Sequence, residues 1–137
     1  MTRRGEINKS VCLAVRVGNQ LLREKQRGFV PTEAAKNIRA AFDLAKEGQP
    51  DEIVNRIKEI ENIAWRAKKD DGLTRQVMGL TEARLTTRYD KSRWGGQRAQ
   101  EKQANGIYDA VMEAVENQAP VERRPMVRFL REVGRGG

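Results

Sequence analysis

Arginine, lysine and aromatic side chains are the residues of this sequence whose types and spacing could do chemistry, and that chemistry is recognition of a polyanion. Residues 66–98 hold nine Lys/Arg against four Asp/Glu, and residues 1–27 hold seven against two. Residues 28–65 carry five basic and seven acidic groups, and residues 99–137 carry six of each, so the net charge of +8 is localised rather than spread. Localised positive charge is the usual footprint of nucleic-acid binding. Arg predominates over Lys in these segments, and it suits bidentate phosphate contacts and stacking on bases. The candidate contacts are Arg16, Arg23 and Arg27 in the first segment, then Arg66, Lys68, Lys69 and Arg75. Beyond them Arg84, Arg88 and Lys91 fall at i, i+4 and i+7, one edge of any helix that continues so far, and Arg93 and Arg98 extend the track across Gly95-Gly96. Tyr89 and Trp94 lie within the run and could stack bases, at about 1–3 kcal/mol each in single-strand binders; either could equally be a core or hinge aromatic. A charge run can also mark no more than a solvated helix face. Missing acidic counterparts, the Arg excess and the interleaved aromatics argue for more.

Catalysis is disfavoured by what the sequence lacks. There is no His and one Cys, Cys12, in 137 residues, which removes the commonest general base, the commonest metal ligand and the thiolate sites. Cys12 sits on an apolar face and reads as core packing. The carboxylates stand at helix starts (Glu33, Asp51, Glu52) or among basic residues, where they serve dipoles and helix pairing. Gly95-Gly96 lacks the spacing and the following Lys-Ser/Thr of a phosphate-cradling loop. The sequence therefore reads as a non-enzyme with no cofactor and no metal.

The elements that must position the basic side chains are helical, because apolar residues recur at helical spacing and no run alternates as a strand would. An all-α fold, a compact bundle of five to six helices, is expected. Helix 1 spans about Ile7 to Gln26, with Val11, Ala14, Val15, Gly18 and Leu22 on one face, Lys9, Arg16, Arg23 and Arg27 on the other, and Gly28 as its stop. Helix 2 opens at Pro31 and buries Ala35, Ile38, Phe42 and Ala45 before Gly48. Helix 3 opens at Pro50 and runs a seam of Ile53, Ile57, Ile60 and Ala64; with helix 2 it should form an antiparallel hairpin through Gly48-Gln49. Trp65 follows that seam and is expected in the core. Helix 4 starts after Asp70-Asp71-Gly72, turns Leu73, Val77 and Leu80 inward, and can be drawn as far as Thr87 with its end left open by the sequence, Arg88 to Gly96 being expected as a loop or frayed turn. Helix 5, about Gln97 to Asn117, should bury Ala104, Ile107, Tyr108, Val111 and Val115, with Gly106 a weak point or close-packing site. A short helix 6 carries Met126, Phe129, Leu130 and Val133.

The length fits one domain spanning 1–137, with frayed ends at 1–6 and 134–137. The longest apolar stretch, Val11 to Val15, is far below the roughly 20 residues that span a bilayer. Arg3 and Arg4 only faintly echo a signal peptide, since no cleavage site follows. A cytoplasmic protein is expected.

The length, the all-α plan, the Arg-rich faces and the Thr32–Arg39 segment (TEAAKNIR) before a long helix resemble the small helical subunits of multi-subunit CRISPR effector complexes. The resemblance implies a non-enzymatic protein that copies itself along a filament, contacts the nucleic-acid backbone through basic residues and meets neighbouring protein subunits through helix faces. The first-helix Arg residues and the Arg84 to Arg98 track would make those contacts. RNA and single-stranded DNA are both admitted; a helix-turn-helix reader of duplex DNA is disfavoured because the helix 2–3 corner is acidic. The rival expectation is a protein–protein adaptor or regulator whose basic surface meets an acidic protein, and an RNA-processing or transfer enzyme ranks third.

Overall fold

The computed structural model describes the backbone of residues 4–89 and 98–135, and the side chains of 9–86 and 105–135. Among the described residues six α-helices make the fold all-α: α1 (Arg4–Gln26), α2 (Thr32–Lys46), α3 (Asp51–Arg66), α4 (Gly72–Tyr89), α5 (Arg98–Gln118) and α6 (Arg124–Arg135), with a 3₁₀ turn at Val121–Arg123. The chain divides into two compact units, Met1–Arg75 and Gln76–Gly137.

In the first unit α1 is the central helix, packed against both α2 and α3. Val11, Cys12, Ala14, Val15, Val17, Leu21 and Leu22 are all buried, and so is Asn19. At 100° per residue these positions sweep more than half the helix circumference, wider than the single apolar face expected. The strip left over carries Lys9, Arg16, Gln20, Arg23 and Arg27, all exposed. α1 ends where expected: Gly28 has φ 75°, Phe29 N donates to Glu24 O (3.0 Å) and Gly28 N to Lys25 O (2.9 Å). These two bonds make a Schellman termination, which needs the left-handed residue that Gly supplies at least cost.

Pro31 and Pro50 stand one position earlier than expected, as N-caps with ψ of 156° and 154°. Each presents its carbonyl to the first helical N–H groups, as in Ala35 N to Pro31 O (2.9 Å) and Val54 N to Pro50 O (3.0 Å). Ile38, Phe42 and Ala45 of α2 and the whole Ile53, Ile57, Ile60, Ala64 seam of α3 are buried, at roughly 2 kcal/mol per large side chain. Arg39 lies over Trp65 and Lys46 bonds Glu61 at 3.0 Å, so α2 and α3 run antiparallel. Gln49 Nε2 donates to Ser10 Oγ (2.7 Å) near the start of α1, while Lys25 near its end meets Ala64 and Trp65 of α3. α1 and α3 are therefore parallel, with their C-terminal ends side by side.

In the second unit Val77, Met78, Leu85, Tyr108, Met112, Val115, Ala119, Val127, Leu130 and Val133 are buried, with Thr81 among them. Tyr108 Oη donates to Leu130 O (3.2 Å), and Thr81 Oγ1 donates to Val77 O (2.9 Å) and lies 3.3 Å from both Tyr108 Oη and Leu130 O. α5 buries Tyr108 and Val115 as expected, and the side chain of Ala104 lies outside those described, but the rest of the expected face differs. Its seam is Tyr108, Met112, Val115 and Ala119, spaced four, three and four, so Ile107 (60% exposed) and Val111 (40%) fall one position off it. Among the described residues nothing lies within 4 Å of a Cβ on Gly106, whereas Gly134, expected to fray, is helical and buried against Tyr108.

Candidate nucleic-acid interface

The parallel arrangement of α1 and α3 gathers cations at one end of the first unit. Lys25 Nζ donates to Trp65 O (2.7 Å), to Ala64 O (3.4 Å) and to Ala67 O, satisfying carbonyls that the end of α3 leaves open. Burial lowers the pKa of this amine, and the nearby Asp71 carboxylate offsets part of the effect. Lys69 Nζ lies beside Gly28, 3.3 Å from where a Cβ would stand. Arg75 donates to Gln26 Oε1. Asp71 caps α4, accepting from Thr74 N at 3.2 Å, and so fixes where Arg75 leaves the helix.

Six of the expected contacts, Arg23, Arg27, Arg66, Lys68, Lys69 and Arg75, thereby come to one end, all exposed. Lys25 and the carbonyls it binds are the tie between the segments that carry them. The cations do more than neutralise the two helix ends. Each C-terminus contributes about half a negative charge, and Glu24, Asp70 and Asp71 add three, so with Lys25 counted the cluster keeps a net charge of about +3. Arg16 is exposed and lies on the same strip of α1, seven residues before Arg23. From Lys9 to Arg27 this strip is about 27 Å long at 1.5 Å per residue.

The expected track of residues 84–98 stands differently. Arg84 is 6% exposed, and its Nε donates to Asn105 Oδ1 at 2.7 Å. Its position seven after Val77 puts it on the inner face of α4, where the guanidinium is spent on Asn105 rather than offered to solvent. α4 continues to Tyr89, so Arg88 and Tyr89 are helical where a loop was expected. The side chains of Arg88, Tyr89 and Arg98 lie outside those described, as do Lys91, Arg93 and Trp94 altogether.

Two residues that composition did not single out belong to this region. Lys25, a last-turn cation, marks itself only through the usual pairing of basic residues with helix C-termini. Arg39 sits with its guanidinium carbon 4.5 Å from the Trp65 ring centroid; Trp65 is half-buried rather than core. Among the described residues no group of His, Cys, Asp or Glu is placed to hold a metal ion, and no helix is long and apolar enough to cross a membrane. No family model, curated protein or solved structure matches this chain.

Proposed function

We propose that the protein is a non-enzymatic structural subunit that binds the backbone of RNA or single-stranded DNA within a ribonucleoprotein, the role implied by its resemblance to CRISPR effector small subunits. The observation that carries this reading is the convergence of Arg23, Arg27, Arg66, Lys68, Lys69 and Arg75 at one end of the first unit, in excess of the acidic groups around them. The Lys9 to Arg27 strip extends that charge along α1. Scattered cations on helix faces contact phosphates without reading bases, so sequence preference would come from base pairing or from partners.

Fluorescence anisotropy of nuclease-treated protein with unrelated single-stranded RNA and DNA oligonucleotides, across a salt series, tests the proposal. Binding that is indifferent to sequence and weakens steeply with salt is expected; absence of binding at low salt ends it. The adaptor reading draws on a different feature, the exposed Ile107 and Val111 one helical turn apart on α5. It predicts capture of a protein partner that survives nuclease and is lost in Ile107→Ser with Val111→Ser.

A further inference from the structure

We infer that Trp65 is a base-stacking platform, covered by Arg39 in the free protein, and that it makes the interface selective for unpaired nucleotides over duplex. The inference rests on the nucleic-acid reading and deepens it. Trp65 is the penultimate residue of α3, and its carbonyl accepts from Lys25 Nζ, so the ring is held at the edge of the cationic end. Its Nε1 lies at a buried edge with no hydrogen-bond partner among the described residues, so none of them anchors the indole there. What faces the ring is the guanidinium of Arg39, 4.5 Å from the centroid, on an exposed side chain that forms no ion pair among the described residues.

A guanidinium stacked over a half-buried ring from the solvent side contributes a factor of only about 2 to 5 in an equilibrium constant. A base stacked on an aromatic ring contributes roughly 5- to 150-fold. A base therefore displaces the guanidinium with a gain of about tenfold, and the released fork of N–H groups is free to take the adjoining phosphate in bidentate fashion. Paired bases already have both faces stacked within the duplex and cannot use the ring, whereas single strands can splay a base onto it.

The test uses the full chain carrying Trp94→Phe, so that Trp65 is the sole indole, with all affinities referred to that parent. Titration with single-stranded oligonucleotides should quench Trp65 fluorescence, while duplex of equal length should bind with little quenching. Trp65→Leu in the same background should weaken single-strand binding about tenfold or more and leave duplex affinity within about twofold. Trp65→Phe, which forfeits no hydrogen bond, should keep most of the single-strand affinity and controls for loss of packing; circular dichroism checks that both variants remain helical. Salt-sensitive binding of single strands with no quenching, and with Trp65→Leu as tight as its parent, overturns the platform and leaves the electrostatic interface standing. No binding of any oligonucleotide overturns both.

Discussion

Six cations at one end of the first unit set an upper limit on how many phosphates that end can neutralise, and the limit converts into a salt slope. On single strands each neutralised phosphate contributes roughly −0.7 to the slope of log K against log salt, so six give roughly −4. Raising salt from 50 to 200 mM should then weaken binding by about 300-fold. Changing Arg27, Lys68 and Lys69 together to Gln removes three cations, none of which forms an ion pair among the described residues. The slope should fall to roughly −2 and the loss over the same salt range to about 20-fold. These side chains are exposed, so thermal stability should move by less than about 1 kcal/mol. Anisotropy at four or more salt concentrations, on two oligonucleotides of unrelated sequence, measures the slopes. A triple variant with an unchanged slope would refute the placement of the interface at this end. A slope change seen on one sequence alone would refute backbone contact as its mechanism.

The second unit offers a pair of glycine substitutions with opposite expected signs. A Cβ on Gly134 would stand well inside contact distance of Tyr108 Oη and 2.6 Å from its Cζ, so Gly134→Ala should destabilise by about 1–3 kcal/mol in urea unfolding despite the better helix propensity of Ala. Gly106→Ala meets nothing within 4 Å among the described residues and should stabilise by up to about 1 kcal/mol. Burial pushes the Tyr108 phenol above its ordinary pKa, by more than its bond to Thr81 lowers it. A raised folded-state pKa means stability that is complete below about pH 10 and lost as pH rises through the folded value. Alkaline unfolding monitored by circular dichroism should therefore become shallower above pH 10 in Tyr108→Phe. Asp71→Ala, which removes the cap on Thr74 N, should cost about 1 kcal/mol.

Much of the first unit was legible because its signals are local. Prolines mark helix starts, glycines with φ of 75° and 72° mark the turns, and Ile53, Ile57, Ile60 and Ala64 share one face in any helix. Less legible was how much of a helix is buried. α1 packs on two neighbours, which no single-face reading of the pattern captures. The same uncertainty displaced α5. Ile107 and Val111 are more apolar than the Tyr108 and Met112 beside them, yet the seam is set by partners far apart in sequence, Thr81 and Leu130, that hold the tyrosine hydroxyl. Arg84 shows that charge composition does not fix exposure: its long stem lies on the Val77 face and Asn105 takes its head. The cationic end was visible as composition in Arg23, Arg27 and residues 66–75, but not as a cluster, because its assembly depends on α1 and α3 being parallel.

Parallel helices are an unfavourable way to bring two C-terminal ends together, since about half a negative charge sits at each. Lys25 resolves the conflict by placing an ammonium group among the carbonyls of Ala64, Trp65 and Ala67, and so acts as a positioning residue for the six exposed cations. Lys25→Met keeps the stem and removes the bonds, at a cost of about 2 kcal/mol for charged hydrogen bonds of this kind. Its pH signature has the opposite sign to that of Tyr108. Burial lowers the Lys25 pKa, so between the lowered value and the ordinary lysine range the unfolded chain holds more protons, and stability rises with pH across that window. In the same unit burial would also lower Lys46, but Glu61 and Asp43 outweigh it and raise its pKa, so its contribution is lost only above the ordinary lysine value. Lys25→Met should therefore abolish the rise below the lysine range and spare the fall above it. It should also weaken oligonucleotide binding by more than the loss of one charge, because the ends of α1 and α3 are no longer tied. If Lys25→Met lowers stability but leaves both affinity and salt slope equal to wild type, the cations do not act as a cluster and the interface must be sought elsewhere on the chain.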